Sequence, residues 1–118
     1  MATWDDVRRL ALELPEVEEA TGWGQPCFKV AGRTFVNMSP HERGALVVRA
    51  DPAEKPFLIE SRPDVYFDTR HYAGYPALLV RLEAIEEDEL RERLIDAWLI
   101  KAPKRLVDSV DASTFGAP

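Results

Sequence analysis

The sequence has little cysteine and histidine and no long hydrophobic segment. The 118 residues include one cysteine, Cys27, and two histidines. A single cysteine excludes an internal disulfide and is typical of a reducing compartment, so we expect a cytoplasmic protein. No apolar run approaches the roughly 20 residues that span a bilayer, and the N-terminal residues lack the apolar region of a secretory signal. We therefore expect no membrane partner.

The motifs that carry enzyme or metal chemistry are missing as well. His41 and His71 stand 30 residues apart without a Cys/His cluster, so we expect them to be structural or solvated. Gly22-x-Gly24 lacks the further glycines and the Lys-Ser/Thr pair of a phosphate-binding loop. No histidine is near Cys27 in sequence, which favours a semi-buried, inert thiol. We expect no catalytic residue, metal or cofactor, and the sequence does not indicate an enzyme.

The charges that are present are distributed unevenly along the chain. Twenty-one acidic and 15 basic residues give a formal net charge of −6. Residues 1–22 carry two basic and six acidic groups, and residues 83–118 carry five basic and nine acidic groups. The middle, residues 23–82, carries eight basic and six acidic groups. Because net charge concerns partners and solubility rather than fold, this chain would bind nucleic acid only through a local basic surface.

Helical patterns occur mainly at the two ends of the sequence. Thr3, followed three residues later by Asp6, predicts a capped helix from Trp4 to about Glu13. The acidic run 86–89 opens a second long helix that ends before Pro103, and Lys104–Val110 forms a further short helix. We expect one domain over residues 1–118, with 111–118 as a loose tail.

Short alternating runs between these helices predict β-strands joined by tight turns. The predicted strands are Val17–Trp23, Cys27–Ala31, Arg33–Met38, Ala45–Arg49, Val65–Asp68 and Ala77–Glu83, with a short helix at Pro52–Ser61. This order predicts an α+β fold, an antiparallel β-sheet with the N- and C-terminal helices packed on one face. The other face is expected to be open to solvent or to a partner.

Alternation along the strands sorts their side chains onto the two faces of this sheet. The predicted inward sets are Phe28 and Val30, Leu46 and Val48, Val65 and Phe67, and Leu78, Val80 and Leu82. The outward sets contain Lys29, Arg49, Tyr66 and Arg81, and Arg33 and Arg43 near the turns extend this basic patch. The alternative is that these cations only solubilise an exposed sheet and deter edge pairing.

One segment resembles the signature of a known family. The run Trp23-Gly24-Gln25-Pro26-Cys27-Phe28-Lys29-Val30-Ala31-Gly32-Arg33-Thr34-Phe35 is similar to the Trp-Gly-x-Pro-x-Phe-x-Val-x-Gly-basic-x-Phe pattern of the MmcQ/YjbR-like family. The beginning and end of the chain, Asp6–Glu19 and Ala97–Leu106, also resemble the family. The resemblance implies a CyaY-like fold and a double-wing DNA-binding function in which the hairpins serve as wings. It implies no catalytic residues.

Three functional hypotheses follow from these patterns. The first is DNA binding through a set of cations with one tyrosine: Lys29, Arg33, Arg43, Arg49, Tyr66, Arg81, Lys104 and Arg105. The second is a non-catalytic module that binds a protein or a small anionic ligand on the same face. The third is an iron or enzyme site on acidic residues, by analogy with frataxin: Asp5, Asp6, Glu18 and Glu19. Trp23, between a strand and Gly24, is interpreted as a packing anchor of a rigid turn.

Overall fold

Six strands form a single antiparallel sheet that carries the helices. The computed structural model describes residues 1–110, so the predicted tail 111–118 lies outside the described residues. The helices are α1 (Trp4–Ala11), α2 (Lys55–Ser61), α3 (Glu87–Lys101) and α4 (Lys104–Ser109). The strands are β1 (Val17–Gly22), β2 (Gln25–Val30), β3 (Arg33–Met38), β4 (Ala45–Arg49), β5 (Tyr66–Phe67) and β6 (Ala77–Arg81).

The strand order in the sheet is β1-β2-β3-β4-β6-β5, and every neighbouring pair is antiparallel. Helices α1 and α3 contact one another, and both contribute buried side chains to the core on one face of the sheet. The predicted α+β architecture is therefore confirmed. No helix within residues 1–110 is long and apolar enough to cross a bilayer.

The start of α1 shows how the sequence sets a helix boundary. The Thr3 hydroxyl accepts a hydrogen bond from the Asp6 backbone N–H, and the Asp6 carboxylate accepts one from the Thr3 N–H. This reciprocal capping box satisfies two backbone donors that a helix terminus leaves free, as the sequence predicted. The helix ends at Ala11, two residues earlier than expected, because Leu12 to Leu14 continue as turns.

The main core lies between the sheet and the helices. It contains all but one of the residues in the predicted inward sets, together with the inward stripe of α3 that includes Leu90, Leu94 and Trp98. A β-bulge between Phe28 and Lys29 shifts the register, and both Phe35 and Val36 are buried in this core. A smaller apolar cluster on the second face contains Ala45, Val47, Ala77 and Leu79.

The predicted orientation of the Val65–Asp68 segment was wrong. Tyr66 is buried in the main core, whereas Phe67 packs on the second face. The strand begins only at Tyr66, and the N–H groups of both Val65 and Tyr66 donate to the Arg62 carbonyl, so alternation does not extend back to Val65. Burial and a hydrogen bond from the Tyr66 hydroxyl to Glu89 of α3 raise the pKa of this phenol above its usual range. Tyr66 is therefore not available on the second face.

Ion pairs neutralise many acidic residues on the helical side. Arg8 pairs with Asp5 at 2.7 Å and with Glu19 at 3.0 Å, and Arg9 bonds to Asp6 at 3.3 Å. These contacts engage three of the four carboxylates considered for iron. Within the described part of the chain, no group of three or more His, Cys, Asp or Glu side chains is arranged to hold a metal ion.

Candidate anion-binding pocket

Two loops cover part of the second face of the sheet, which the sequence predicted to be open. The loop 68–76 is fixed by Lys55, the first residue of α2, whose side chain is only 6% exposed. The Lys55 ammonium donates to the carbonyls of Tyr72 at 3.2 Å and Tyr75 at 3.1 Å, and it pairs with Asp68 at 2.9 Å. One buried cation thus sets the path of this loop across the sheet.

The loop 39–44 meets the first loop at the edge of the sheet face. The Ser39 hydroxyl accepts hydrogen bonds from the backbone N–H groups of His41 at 3.1 Å and Glu42 at 3.0 Å. It also lies within hydrogen-bond distance of the Tyr72 hydroxyl, at 3.4 Å. The two loops bring the imidazole rings of His41 and His71 together, with their centroids 4.2 Å apart.

The first of two adjoining cavities lies where these loops meet above β3 and β4, and the second lies beside the loop 68–76. A cavity of about 310 Å³ is lined by Trp23, Asn37, Pro40, His41, Val47, Arg49, His71 and Tyr72. A second cavity, of about 260 Å³, shares Arg49, His71 and Tyr72 with the first and continues to Tyr75, Pro76 and Ala77. Together they form what we call the Arg49 pocket. Within residues 1–110, no carboxylate lines either cavity.

Arg49 is the single charged residue of this lining in the described chain. It ends β4 half-buried, and it makes no ion pair or side-chain hydrogen bond with another described residue. Burial lowers the pKa of its guanidinium, against a smaller opposing influence of Tyr72 and Cys27. A partly desolvated cation without a counter-charge is unfavourable unless an anion pairs with it. The geometry therefore suits an anionic group bound at Arg49.

Trp23 forms an exposed wall of the Arg49 pocket, and its interpretation as a packing anchor was wrong. Its side chain is 71% exposed. Trp23 and Gly24 form the turn between β1 and β2 with backbone φ angles of 53° and 74°. For a tryptophan this left-handed conformation costs about 1–2 kcal/mol, and here it holds the indole beside the cavity rather than in the core.

Asn37 adds a buried polar group to the same pocket. It is 3% exposed, and its amide Nδ2 donates to the Met38 carbonyl at 2.9 Å. No residue of the described chain donates a hydrogen bond to its Oδ1, so this oxygen is free to accept one from a ligand in the cavity. Asn37 pairs with Val47 across the strands, two residues before Arg49. The amide and the guanidinium are thus diagonal neighbours on one face.

The opposite end of the second face carries Arg81 in different surroundings. A cavity of about 570 Å³ there is lined by two arginines, Arg43 and Arg81, and by two carboxylates, Glu42 and Glu83. The Arg81 guanidinium lies 4.2 Å from the centre of the Phe67 ring and donates to the Pro63 carbonyl at 3.2 Å. Because Arg81 already has partners and two carboxylates line this cavity, we assign the site to the Arg49 pocket.

The other cations of the predicted basic surface are not brought together. Lys29 lies on the second face directly opposite Glu18 of β1. Arg33 pairs with Val30, a core residue, which places it by register on the helical side of the β2–β3 turn. On α4, Lys104 pairs with Asp108 at 2.5 Å and Arg105 with Glu16 at 3.1 Å. These two residues stand apart from the second face because their helix packs into the main core through Leu106.

Sequence reasoning missed four residues that build the Arg49 pocket: Asn37, His41, Lys55 and His71. Their positions depend on contacts between loops that are distant in sequence. A weak signal was present, because Tyr72 and Tyr75 stand close to His71 and Arg70 in the sequence. Aromatic side chains beside cations are the combination used to stack rings and hold phosphates.

Comparisons with known proteins complete this description. The family model described as YjbR matches residues 12–100. "Uncharacterized protein Rv2570" of Mycobacterium tuberculosis and "Uncharacterized protein Mb2600" of Mycobacterium bovis are each 38% identical, covering 97% of this chain and 99% of the relative. The crystal structure of Deinococcus radiodurans protein DR2400, with the family-model domain DUF419, superposes with a TM-score of 0.74. It is 22% identical, covering 100% of this chain and 91% of that one. This structural similarity supports the fold alone.

Proposed function

This chain belongs to the YjbR family, and we propose that it is a non-catalytic module that binds a small anionic ligand at Arg49. The single observation that carries the proposal is the half-buried guanidinium without a counter-charge from residues 1–110. Among residues 1–110, aromatic rings and one side-chain amide line its cavities, and no carboxylate does. A pocket that is mainly apolar with a few convergent polar groups is the usual form of a small-molecule site.

The chemistry of the lining favours a phosphate or carboxylate group as the anion. An arginine guanidinium presents paired N–H donors that match both groups in a bidentate manner. His41 and His71 add imidazole N–H donors to the same lining, with their rings in contact. Val47 and the ring of Tyr72 add apolar surface to the lining, and an apolar environment strengthens a charged hydrogen bond.

Titration calorimetry with inorganic phosphate tests the proposal at low ionic strength. We expect binding to the wild type, and we expect Arg49→Gln to weaken it by about 10- to 100-fold, the value of a charged hydrogen bond. The matched control is Arg81→Gln, which removes a cation from the same face, and its affinity should stay within about twofold of the wild type. Equal losses in both variants would contradict the proposal, as would no binding at all.

DNA binding is the second candidate, favoured by one observation. Lys29, Arg49 and Arg81 all lie on the second face, while α1 and α3, with their acidic first turns, lie on the other. One observation is against it. Arg81 of β6 pairs with Ala45 of β4, which lies four residues before Arg49 on that strand. At about 3.4 Å per residue this separation is about 14 Å, and the two loops cover the sheet between them.

A gel-shift salt series separates the two candidates. If DNA binds through Lys29, Arg43, Arg49 and Arg81, the affinity should fall with salt with a log–log slope of about −3.6, which is four phosphate contacts. The double substitution Lys29→Glu with Arg49→Glu should then abolish the shift. Duplex binding that is absent at low salt, or unchanged in this variant, would rule out this second candidate.

A further inference from the structure

Resting on the proposed function, we infer that the anionic ligand also carries a flat aromatic ring that stacks on Trp23, as in a nucleoside monophosphate. The inference concerns the class of ligand and extends the site from a single anion to an anion joined to a ring. The inference rests on three groups that line one cavity: the exposed indole of Trp23, the guanidinium of Arg49 and the amide of Asn37.

The position of Trp23 is the first observation. The left-handed turn conformation is unfavourable for tryptophan. Because Trp23 is 71% exposed, burial of the indole offsets little of this cost. Backbone strain of this kind is often retained where it serves a site. The indole lines the same cavity as the ring pair His41 and His71, so the cavity offers a flat ring the aromatic surface of more than one residue. Stacking on an aromatic side chain strengthens binding by about 5- to 150-fold per base.

The second observation is the Oδ1 acceptor of Asn37, which is free within the described chain although Nδ2 of the same amide donates to Met38. Its amide lines the cavity at 3% exposure, and its Oδ1 receives no hydrogen bond from residues 1–110. An amide edge is the group with which proteins commonly pair a nucleobase edge. The cavity of about 310 Å³ lies at the lower end of the range for small-molecule sites. Arg49 then takes the phosphate, Asn37 the edge of the ring and Trp23 its face.

The test compares three probes: adenosine 5′-monophosphate, ribose 5-phosphate and inorganic phosphate. Affinities are measured by calorimetry, and the indole N–H signals are followed by NMR. We expect the nucleotide to bind at least about 10-fold more tightly than the sugar phosphate, in line with a stacking contribution. We expect the Trp23 indole signal, assigned by its loss in Trp23→Asn, to shift upfield with the nucleotide alone. In Trp23→Asn the preference should fall to about twofold, while inorganic phosphate should bind as in the wild type.

A matched control replaces another exposed aromatic residue. Phe57 on α2 is 74% exposed and does not line the Arg49 pocket, so Phe57→Asn should keep the full preference. If adenosine 5′-monophosphate and ribose 5-phosphate bind equally tightly and both depend on Arg49, the ring inference is overturned while the proposed function stands. If the preference survives in Trp23→Asn, stacking on Trp23 is overturned. If no phosphate binds at all, the proposed function fails and the ring inference fails with it.

Discussion

The two ends of the second sheet face differ in how their arginines are surrounded. At one end, Arg49 is half-buried beside aromatic rings and an amide, with no carboxylate from residues 1–110 lining its cavities. At the other end, Arg81 lies over Phe67, donates to the Pro63 carbonyl and shares its cavity with Glu42 and Glu83. Both arginines occupy equivalent outward positions in the strand pattern.

The comparison shows that an outward cation in a strand indicates a binding site only when its surroundings are known. A cation with a ring, a carbonyl or a carboxylate beside it can be explained by the stability of the fold. A partly buried cation without such partners decreases stability unless an anion pairs with it, so it is the better candidate for a ligand contact. Three experiments test the contrast between the two ends in order of decreasing effect.

The largest effect is expected from Lys55→Met, which removes the cation that fixes the loop 68–76. The substitution leaves Asp68 and the carbonyls of Tyr72 and Tyr75 without their donor. We expect a loss of about 2–4 kcal/mol in the free energy of unfolding, measured with urea. Amide exchange should accelerate across this loop and not around Arg81.

The control for Lys55→Met is Lys104→Met, in which an exposed lysine loses its pair with Asp108. Its effect should remain within about 0.5 kcal/mol, as for most surface substitutions. A Lys55→Met loss of the same size would show that the loop does not depend on this cation.

Substitutions of the two arginines should have intermediate effects on the free energy of unfolding, and the two effects should have opposite signs. Without ligand, Arg49→Met removes a desolvated charge and should stabilise the protein by about 0.5–1.5 kcal/mol. Arg81→Met removes a cation–π contact and should destabilise it by about 0.5–1 kcal/mol. Chemical denaturation in phosphate-free buffer measures both values. Destabilisation by Arg49→Met would indicate that Arg49 has a structural role, and the contrast between the two ends would disappear.

The smallest effect is expected from Trp23→Asn. Asparagine tolerates the left-handed conformation, and Asn-Gly is the preferred pair in such two-residue hairpin turns. Because the indole is largely exposed, little burial is lost, and we expect a gain of about 0.5–1 kcal/mol in thermal or urea unfolding. A clear destabilisation would restore the interpretation of Trp23 as a packing anchor.

Local sequence signals predicted the scaffold well. The capping pair Thr3 and Asp6 fixed the start of α1, and β3 and β4 have the predicted bounds, Arg33–Met38 and Ala45–Arg49. These features depend on neighbours within a few residues. The confirmed inward sets also follow from the two-residue period of strands, which places alternate side chains against the helices.

The features that were missed depend on partners far along the chain. Tyr66 faces the core because its hydroxyl reaches Glu89, 23 residues later, which the strand pattern did not indicate. His41 and His71 meet because Lys55 and Ser39 hold the two loops over the sheet. The pattern identified Arg49 as an outward cation, but its isolation from carboxylates is a property of the folded surface.

Amide chemical-shift mapping during a titration with inorganic phosphate tests the central claim most directly. We predict that the largest amide chemical-shift changes fall on the lining of the Arg49 pocket and that they saturate at low ionic strength. The residues concerned are Asn37, Arg49, His71 and Tyr72. Saturating shifts centred instead on Gly44, Arg81 and Glu83 at the other end of the face, or shifts spread evenly over α1 and α3, would contradict it.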